Sequence, residues 1–61
     1  DNETIQIANT IINGYAASIV EHKNQNEKAI IWTDGLYYYQ IITYSSKISV
    51  EQLIIIASSV H

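Results

Sequence analysis

The fold is decided by the middle of the chain, where residues 29–42 read AIIWTDGLYYYQII. Two apolar runs of strand length flank Asp34-Gly35, a dipeptide typical of tight β-hairpins because both central positions of a type I′ turn need positive φ. A two-residue loop here would pair Trp32 with Tyr37 across the two strands. Paired residues share one face of a sheet, so the stretch predicts a hairpin with two distinct faces.

The two faces of this hairpin differ in their apolar content. The bulkier face is expected to pack against a helix, and its members are Ile30, Trp32, Tyr37, Tyr39 and Ile41. The face turned away from the helix is called the second sheet face, and its large apolar side chains in this hairpin are Ile31, Leu36, Tyr38, Ile42 and Tyr44. A face this apolar is unusual for a surface in contact with water. We therefore expect it to contact the rest of a parent chain or a second copy of this chain.

Two further strands precede this hairpin, joined by Asn13-Gly14, which is another type I′ signal. A two-residue loop at this point places Ile5 and Ile7 out of phase with the apolar residues of the following strand. A β-bulge or a longer loop would restore the phase, and the sequence leaves both alternatives open. The four predicted strands are Thr4–Ile12, Tyr15–His22, Lys28–Thr33 and Leu36–Tyr44.

The C-terminal segment has the pattern of a helix. Ser49 is the predicted N-cap, and Gln52 completes a capping box three residues later. Ile48 and Leu53 have the spacing of a hydrophobic staple, while Ile55 falls in the middle of the polar arc. The predicted apolar arc holds Val50, Leu53, Ile54, Ile56, Ala57 and Val60. The sequence thus predicts an α+β fold, a four-stranded antiparallel meander sheet with one C-terminal helix packed on one face.

Composition limits the function classes. The 61 residues suffice for one small module, which we interpret as the C-terminal part of a longer chain. The net charge is −3, with three Lys or Arg residues in total. Binding of nucleic acids or of anionic membranes needs a basic surface, so neither partner is expected, and membrane attachment would come only from an anchor in the parent chain.

The sequence offers no arrangement typical of catalysis or metal binding. Ser18, His22 and Asp34 supply the residue types of a catalytic triad, but no nucleophile elbow presents the serine. His22 and His61 are the two histidines, and cysteine is absent, so no metal site or cofactor is expected. The candidate acids for hydrolysis are expected in a turn, a loop and a first helical turn rather than in a shared cleft. They are Asp34, Glu27 and Glu51.

Aromatic residues are the remaining candidates for binding. Trp32 and Tyr39 are expected in the core, whereas Tyr38 and Tyr44 point outward and could stack on sugar rings. Ile55 is a third candidate contact residue, because it interrupts the polar side of the helix.

Three pieces of the sequence resemble the family called domain of unknown function 4367. Residues 13–16 resemble its early Asn-Gly-aromatic turn, and residues 32–35 followed by 39–41 resemble its tryptophan hairpin. Residues 49–53 with 56–60 resemble its closing helix. Among the three consecutive tyrosines, the pairing argument favours Tyr39 as the match to the family's tyrosine.

The resemblance implies an extracytoplasmic location, in the C-terminal part of membrane-anchored or lipoprotein-like proteins of Gram-positive bacteria. It implies no catalytic residues. We therefore expect a non-catalytic sensory or protein-interaction module of a larger exported protein. The alternative is a module that binds cell-wall carbohydrate through its surface tyrosines.

Overall fold

The computed structural model describes residues 5–60 as one sheet of four strands and one α-helix. The strands are antiparallel in the order β1-β2-β3-β4, so the predicted meander and the α+β class are confirmed. Thr4, the predicted first residue of the sheet, lies outside the described residues. The elements are β1 (Ile5–Ile12), β2 (Tyr15–His22), β3 (Glu27–Thr33), β4 (Tyr38–Thr43) and α1 (Val50–Ser58), with a short 3₁₀ helix at Lys23–Gln25.

The first hairpin is regular, and neither of the two alternatives left open by the sequence applies. Ile12 pairs with Tyr15, and the pairing continues without interruption to Ile5 opposite His22. Asn13 and Gly14 both have positive φ, at 52° and 90°, as a type I′ turn requires. Because no bulge resets the phase, every second residue of β1 from Ile5 onward lies on the second sheet face. Ile5 and Ile7 therefore stay out of phase with Ala17 and Ile19 of β2, which belong to the core cluster.

The second hairpin has a longer loop than the sequence predicted. Trp32 pairs with Tyr39 rather than Tyr37, and Thr33 pairs with Tyr38. Four residues therefore form the loop, and β4 begins at Tyr38 instead of Leu36 and ends one residue before Tyr44. The shift equals two residues, so the predicted division of the strand residues between the two faces is still correct.

Side chains in the second loop explain its length. The Asp34 carboxylate accepts hydrogen bonds from the backbone N–H groups of Leu36 and Tyr37, both at 2.9 Å. The Thr33 hydroxyl donates to the Tyr37 carbonyl at 2.8 Å and accepts from the Gly35 N–H at 3.1 Å. Local bonds of this kind compete with the strand ladder for backbone groups. They keep Leu36 and Tyr37 out of β4.

The start of α1 is formed as predicted. The Ser49 hydroxyl accepts a hydrogen bond from the Gln52 N–H at 3.1 Å, and the Gln52 side chain accepts from the Ser49 N–H at 3.0 Å. These two bonds form the capping box, which satisfies donors that a helix N-terminus leaves free. Ile48 packs against the core cluster that contains Leu53, in agreement with the expected staple.

The core lies between α1 and one face of the sheet. Leu53 and Ala57 are the buried residues of α1, and they meet Trp32 from β3. Ile56 was predicted in the apolar arc but is exposed, because the short helix turns only a narrow stripe toward the sheet. The buried cluster comprises Ile12, Ala17, Ile19, Ile30, Trp32, Leu53 and Ala57.

Candidate functional site

The second sheet face remains uncovered among the described residues. Strand pairing aligns Ile7, Val20, Ala29 and Ile42 in one row across all four strands. Ile7 is 69% exposed at one end of this row, although its side chain is fully apolar. The other large apolar residues exposed on this face are Ile5, Ile11, Tyr38 and Ile42. The row formed by Ile7, Val20, Ala29 and Ile42 is called the apolar band. It crosses the face of the sheet opposite to the one that α1 covers.

The β1 strand adds an unusual edge to this face. It lies at one side of the sheet, and within residues 5–60 it pairs with β2 alone. Its eight residues, IQIANTII, include neither a charged residue nor a proline. Charges, prolines and bulges normally prevent an edge strand from pairing with another chain. The sequence of β1 therefore contains none of these features that would prevent it from pairing with a further strand.

The structure does not bring the three predicted contact residues together. Tyr38 is 82% exposed and lies on the second sheet face, whereas Ile55 lies on α1, the layer that covers the other face. Tyr44 is 64% exposed and follows the end of β4. Tyr38 and Tyr44 are separated by six residues of nearly extended chain, which corresponds to roughly 20 Å. They cannot stack on the same sugar ring.

The residue types of a catalytic triad are also kept apart. Ser18 lies opposite Ile31 in the middle of the sheet, and His22 is four residues further along β2. Asp34 lies beyond the opposite end of β3. The His22 imidazole instead contacts Glu27, with 2.9 Å between Nδ1 and Oε1.

The described part of the chain has neither a cluster of metal-ligating side chains nor a helix that could span a membrane. Residues 5–60 contain no group of three or more His, Cys, Asp or Glu side chains placed to hold a metal ion. His61, the second histidine, lies outside the described residues. None of the helices within residues 5–60 has the length and apolar character needed to cross a bilayer.

A concave site that the sequence did not predict lies where the two hairpin loops meet the end of α1. Its volume is about 260 Å³, and it is called the loop-end concavity. The Asn13 side-chain amide joins the first hairpin to the end of the helix by donating to the Val60 carbonyl at 3.0 Å. The lining residues are Asn13, Tyr15, Trp32, Asp34, Tyr39 and Val60.

Aromatic rings form much of this concavity. Trp32 and Tyr39 stack with their centroids 5.0 Å apart and their planes at 17°. Tyr37 meets the edge of Tyr39 at 6.5 Å. Trp32 itself is only 4% exposed, so the accessible aromatic surface belongs to the tyrosines.

Asp34 supplies the one carboxylate that lines the loop-end concavity, and it is in contact with the aromatic side chains. The Tyr39 hydroxyl donates to Asp34 Oδ2 at 2.9 Å. The backbone N–H groups of Tyr37 and Leu36, and then this phenol, lower the pKa of Asp34 below its ordinary value of 3.8. The same hydrogen bond to the carboxylate is the main reason why the pKa of Tyr39 is raised above 10.0, with desolvation adding to it.

Sequence reasoning missed the loop-end concavity because its formation depends on the length of the second hairpin loop and on the length of α1. The four-residue second loop places Asp34 beside Tyr39, and the length of α1 brings Val60 back to Asn13. The proximity of Asp34 and Tyr39, five residues apart around a turn, was the one signal available in the sequence.

Comparisons with known proteins identify the same family as the sequence motifs. The family model described as a domain of unknown function (DUF4367) matches residues 1–60. The match extends N-terminally beyond the three motifs that carried the resemblance. No curated protein and no solved structure gave a significant match to the chain.

Proposed function

Because this chain belongs to the DUF4367 family, whose description assigns no activity, we propose that it is a non-catalytic sensory or protein-interaction module of a larger exported bacterial protein. The observation that carries the proposal is the uncovered apolar band on the second sheet face. The module docks through this band against the rest of its parent chain or against a second copy. No described arrangement of side chains supports a catalytic alternative.

The energetics favour occupation of this face. Burying an exposed isoleucine side chain is favourable by about 1.5–3 kcal/mol. Several such residues are exposed on the second sheet face, among them Ile7, Ile11 and Ile42. A partner that adds a strand to β1 would also satisfy the edge's backbone hydrogen-bonding groups. The second sheet face and the edge of β1 adjoin, so one partner can contact both.

The first test measures the mass of the isolated chain by light scattering and its binding of a hydrophobic dye. A dimer indicates a second copy as the partner, and a monomer that binds the dye indicates a surface normally covered by the parent chain. A monomer that binds no dye contradicts the proposal.

Matched variants then locate the interface. Ile7→Lys should weaken association at least about tenfold, because a charge replaces a buried apolar group. Ile55→Lys changes a residue of nearly equal exposure on the helix, 67% against 69%. If Ile55→Lys alone disrupts association, the contact belongs to α1 and the second sheet face is not the interface.

The exported location is a further part of the proposal and is supported by family membership alone. Protease treatment of intact cells that produce the full-length parent protein provides the test. An exported module is cleaved without lysis, whereas protection until lysis would contradict an extracytoplasmic location.

Carbohydrate binding is the second candidate, and the exposure of Tyr38 favours it. Since Tyr38 and Tyr44 lie roughly 20 Å apart, an extended glycan rather than a single sugar would be needed to reach both rings. Titration with cell-wall glycan fragments should shift the NMR signals of both rings. Tyr38→Ala and Tyr44→Ala should each abolish the response without unfolding, and unchanged binding in both variants excludes this candidate.

A further inference from the structure

The loop-end concavity is a distinct site, on the opposite side of the sheet from the apolar band. Its only charged lining residue is Asp34, and residues 5–60 contain no ion pair to that carboxylate. The chain's three lysines are all distant from it in the fold. Lys28 faces Thr43 at the other end of the sheet, while Lys23 and Lys47 belong to the 3₁₀ helix and to the loop that precedes α1.

The hydrogen bonds of Asp34 leave room for one more donor. An ionised carboxylate offers about four acceptor positions on its two oxygens. Oδ1 accepts from the N–H groups of Leu36 and Tyr37, and Oδ2 accepts from the Tyr39 hydroxyl. Oδ2 therefore retains one acceptor position.

The surroundings of that position favour a positive charge. Tyr15 and Tyr39 line the concavity beside Asp34, and aromatic faces attract cations through their quadrupoles. The C-terminal end of α1 lies at the same place, through Val60, and its last turn contains no basic residue. The negative end of the helix dipole thus adds to the attraction, and no Lys or Arg of the described last turn neutralises it.

We propose that the loop-end concavity binds a primary alkylammonium group, as carried by a lysine side chain of a protein partner, with Asp34 Oδ2 accepting its N–H and the tyrosine rings contacting its methylene groups. A primary ammonium fits better than a quaternary one because it can donate to the remaining acceptor position. The site is independent of the second sheet face, so the two assignments can fail separately.

The test is an NMR titration of the full chain, following the Trp32 indole and the tyrosine rings at constant ionic strength. The probes are n-butylammonium, tetramethylammonium and the neutral 3,3-dimethylbutan-1-ol. We expect saturable shifts with n-butylammonium, weaker binding of tetramethylammonium and no saturation with the alcohol. Equal or tighter binding of tetramethylammonium, or saturation by the alcohol, would overturn the proposal.

Variants separate the site from general surface effects. Asp34→Asn retains an acceptor oxygen for the loop but removes the charge, and it should weaken n-butylammonium binding by at least about tenfold. Tyr15→Leu, which leaves the Asp34 loop intact, should weaken binding several-fold. Tyr38→Leu is the matched control on the other sheet face and should leave binding unchanged. Unchanged binding in Asp34→Asn or Tyr15→Leu, or an equal loss in Tyr38→Leu, would refute the assignment.

Discussion

Trp32 is the residue on which the packing of the small core depends. It is almost fully buried, meets α1 on one side and stacks on Tyr39 along the sheet. Trp32→Ala should lower the free energy of unfolding by roughly 3–5 kcal/mol, through lost burial and the cavity left behind. That loss is close to the whole stability of a domain this small.

Circular dichroism during urea unfolding can measure this change. Trp32→Phe keeps an aromatic ring and should cost less, so it provides a folded variant if Trp32→Ala does not fold. Tyr38→Ala, at an exposed position, should change the free energy of unfolding by no more than about 0.5 kcal/mol. Equal losses at Trp32 and Tyr38 would show that Trp32 is not the centre of the core.

Asp34 gives the fold a defined response to acid. Its pKa is lowered in the folded chain by the N–H groups of Tyr37 and Leu36 and by the Tyr39 hydroxyl. The stability that the ionised form contributes is therefore present above the unfolded-state pKa near 4 and is lost as the pH falls through the lowered folded-state pKa. Asp34→Asn should be less stable than the native chain at neutral pH, and this difference should shrink on acidification.

Urea unfolding of both chains at several pH values from neutral to acidic measures this difference. Because the two chains share all other carboxylates, their comparison cancels the effect of those groups. A difference independent of pH would mean that Asp34 is not held by these hydrogen bonds. Tyr39→Phe should raise the Asp34 pKa toward 3.8 in an NMR titration, because one of the three donors is lost.

At the scale of single elements, the N-terminus of α1 makes a simple prediction. Ser49→Ala removes the hydroxyl that accepts from the Gln52 N–H and should cost about 1 kcal/mol of stability. Thermal unfolding is a sufficient measurement. Ser46→Ala, in the exposed loop before the helix, is the control and should have little effect. A Ser49→Ala chain as stable as the native one would mean that the capping box contributes nothing to the stability of this fold.

The elements also show which features the sequence could specify. The capping box and the Asn13-Gly14 turn both depend on residues within four positions of each other. The capping box was predicted correctly, whereas the turn was predicted at the right place with its length left open. The second hairpin failed because Asp34 and Thr33 bind loop backbone groups that a two-residue turn would have given to the strands. Turn propensity alone does not account for side-chain hydrogen bonds that compete with the strands for backbone groups.

The facing of β1 was left open for another reason. The sequence put Ile5 and Ile7 out of phase with the apolar residues of β2, which a bulge or a longer loop would have corrected. The regular turn instead leaves them on the second sheet face and makes Ile12 the core residue of β1. Alternation identifies a strand with one apolar face without showing which layer will cover it. Ile5 and Ile7, which no bulge returns to the core, therefore belong to the proposed interaction surface.

The whole molecule is a thin two-layer structure, with a radius of gyration of 11.6 Å. One nine-residue helix covers one face of a four-stranded sheet, and no described element covers the other face. Ending the chain at Ser49 would uncover Ile12, Ile30 and Trp32 on the helix face while the second sheet face stays exposed. A sheet exposed on both sides cannot offset the entropy lost on folding.

We therefore expect a chain of residues 1–49 to lack the dispersed amide NMR spectrum of a folded protein. A peptide of residues 48–61, which keeps the capping box of Ser49 and Gln52, can be added to test recovery of the spectrum. Spectral recovery would locate the missing stability in α1. A truncated chain that is folded without the peptide would contradict the prediction that the sheet depends on α1 for its stability.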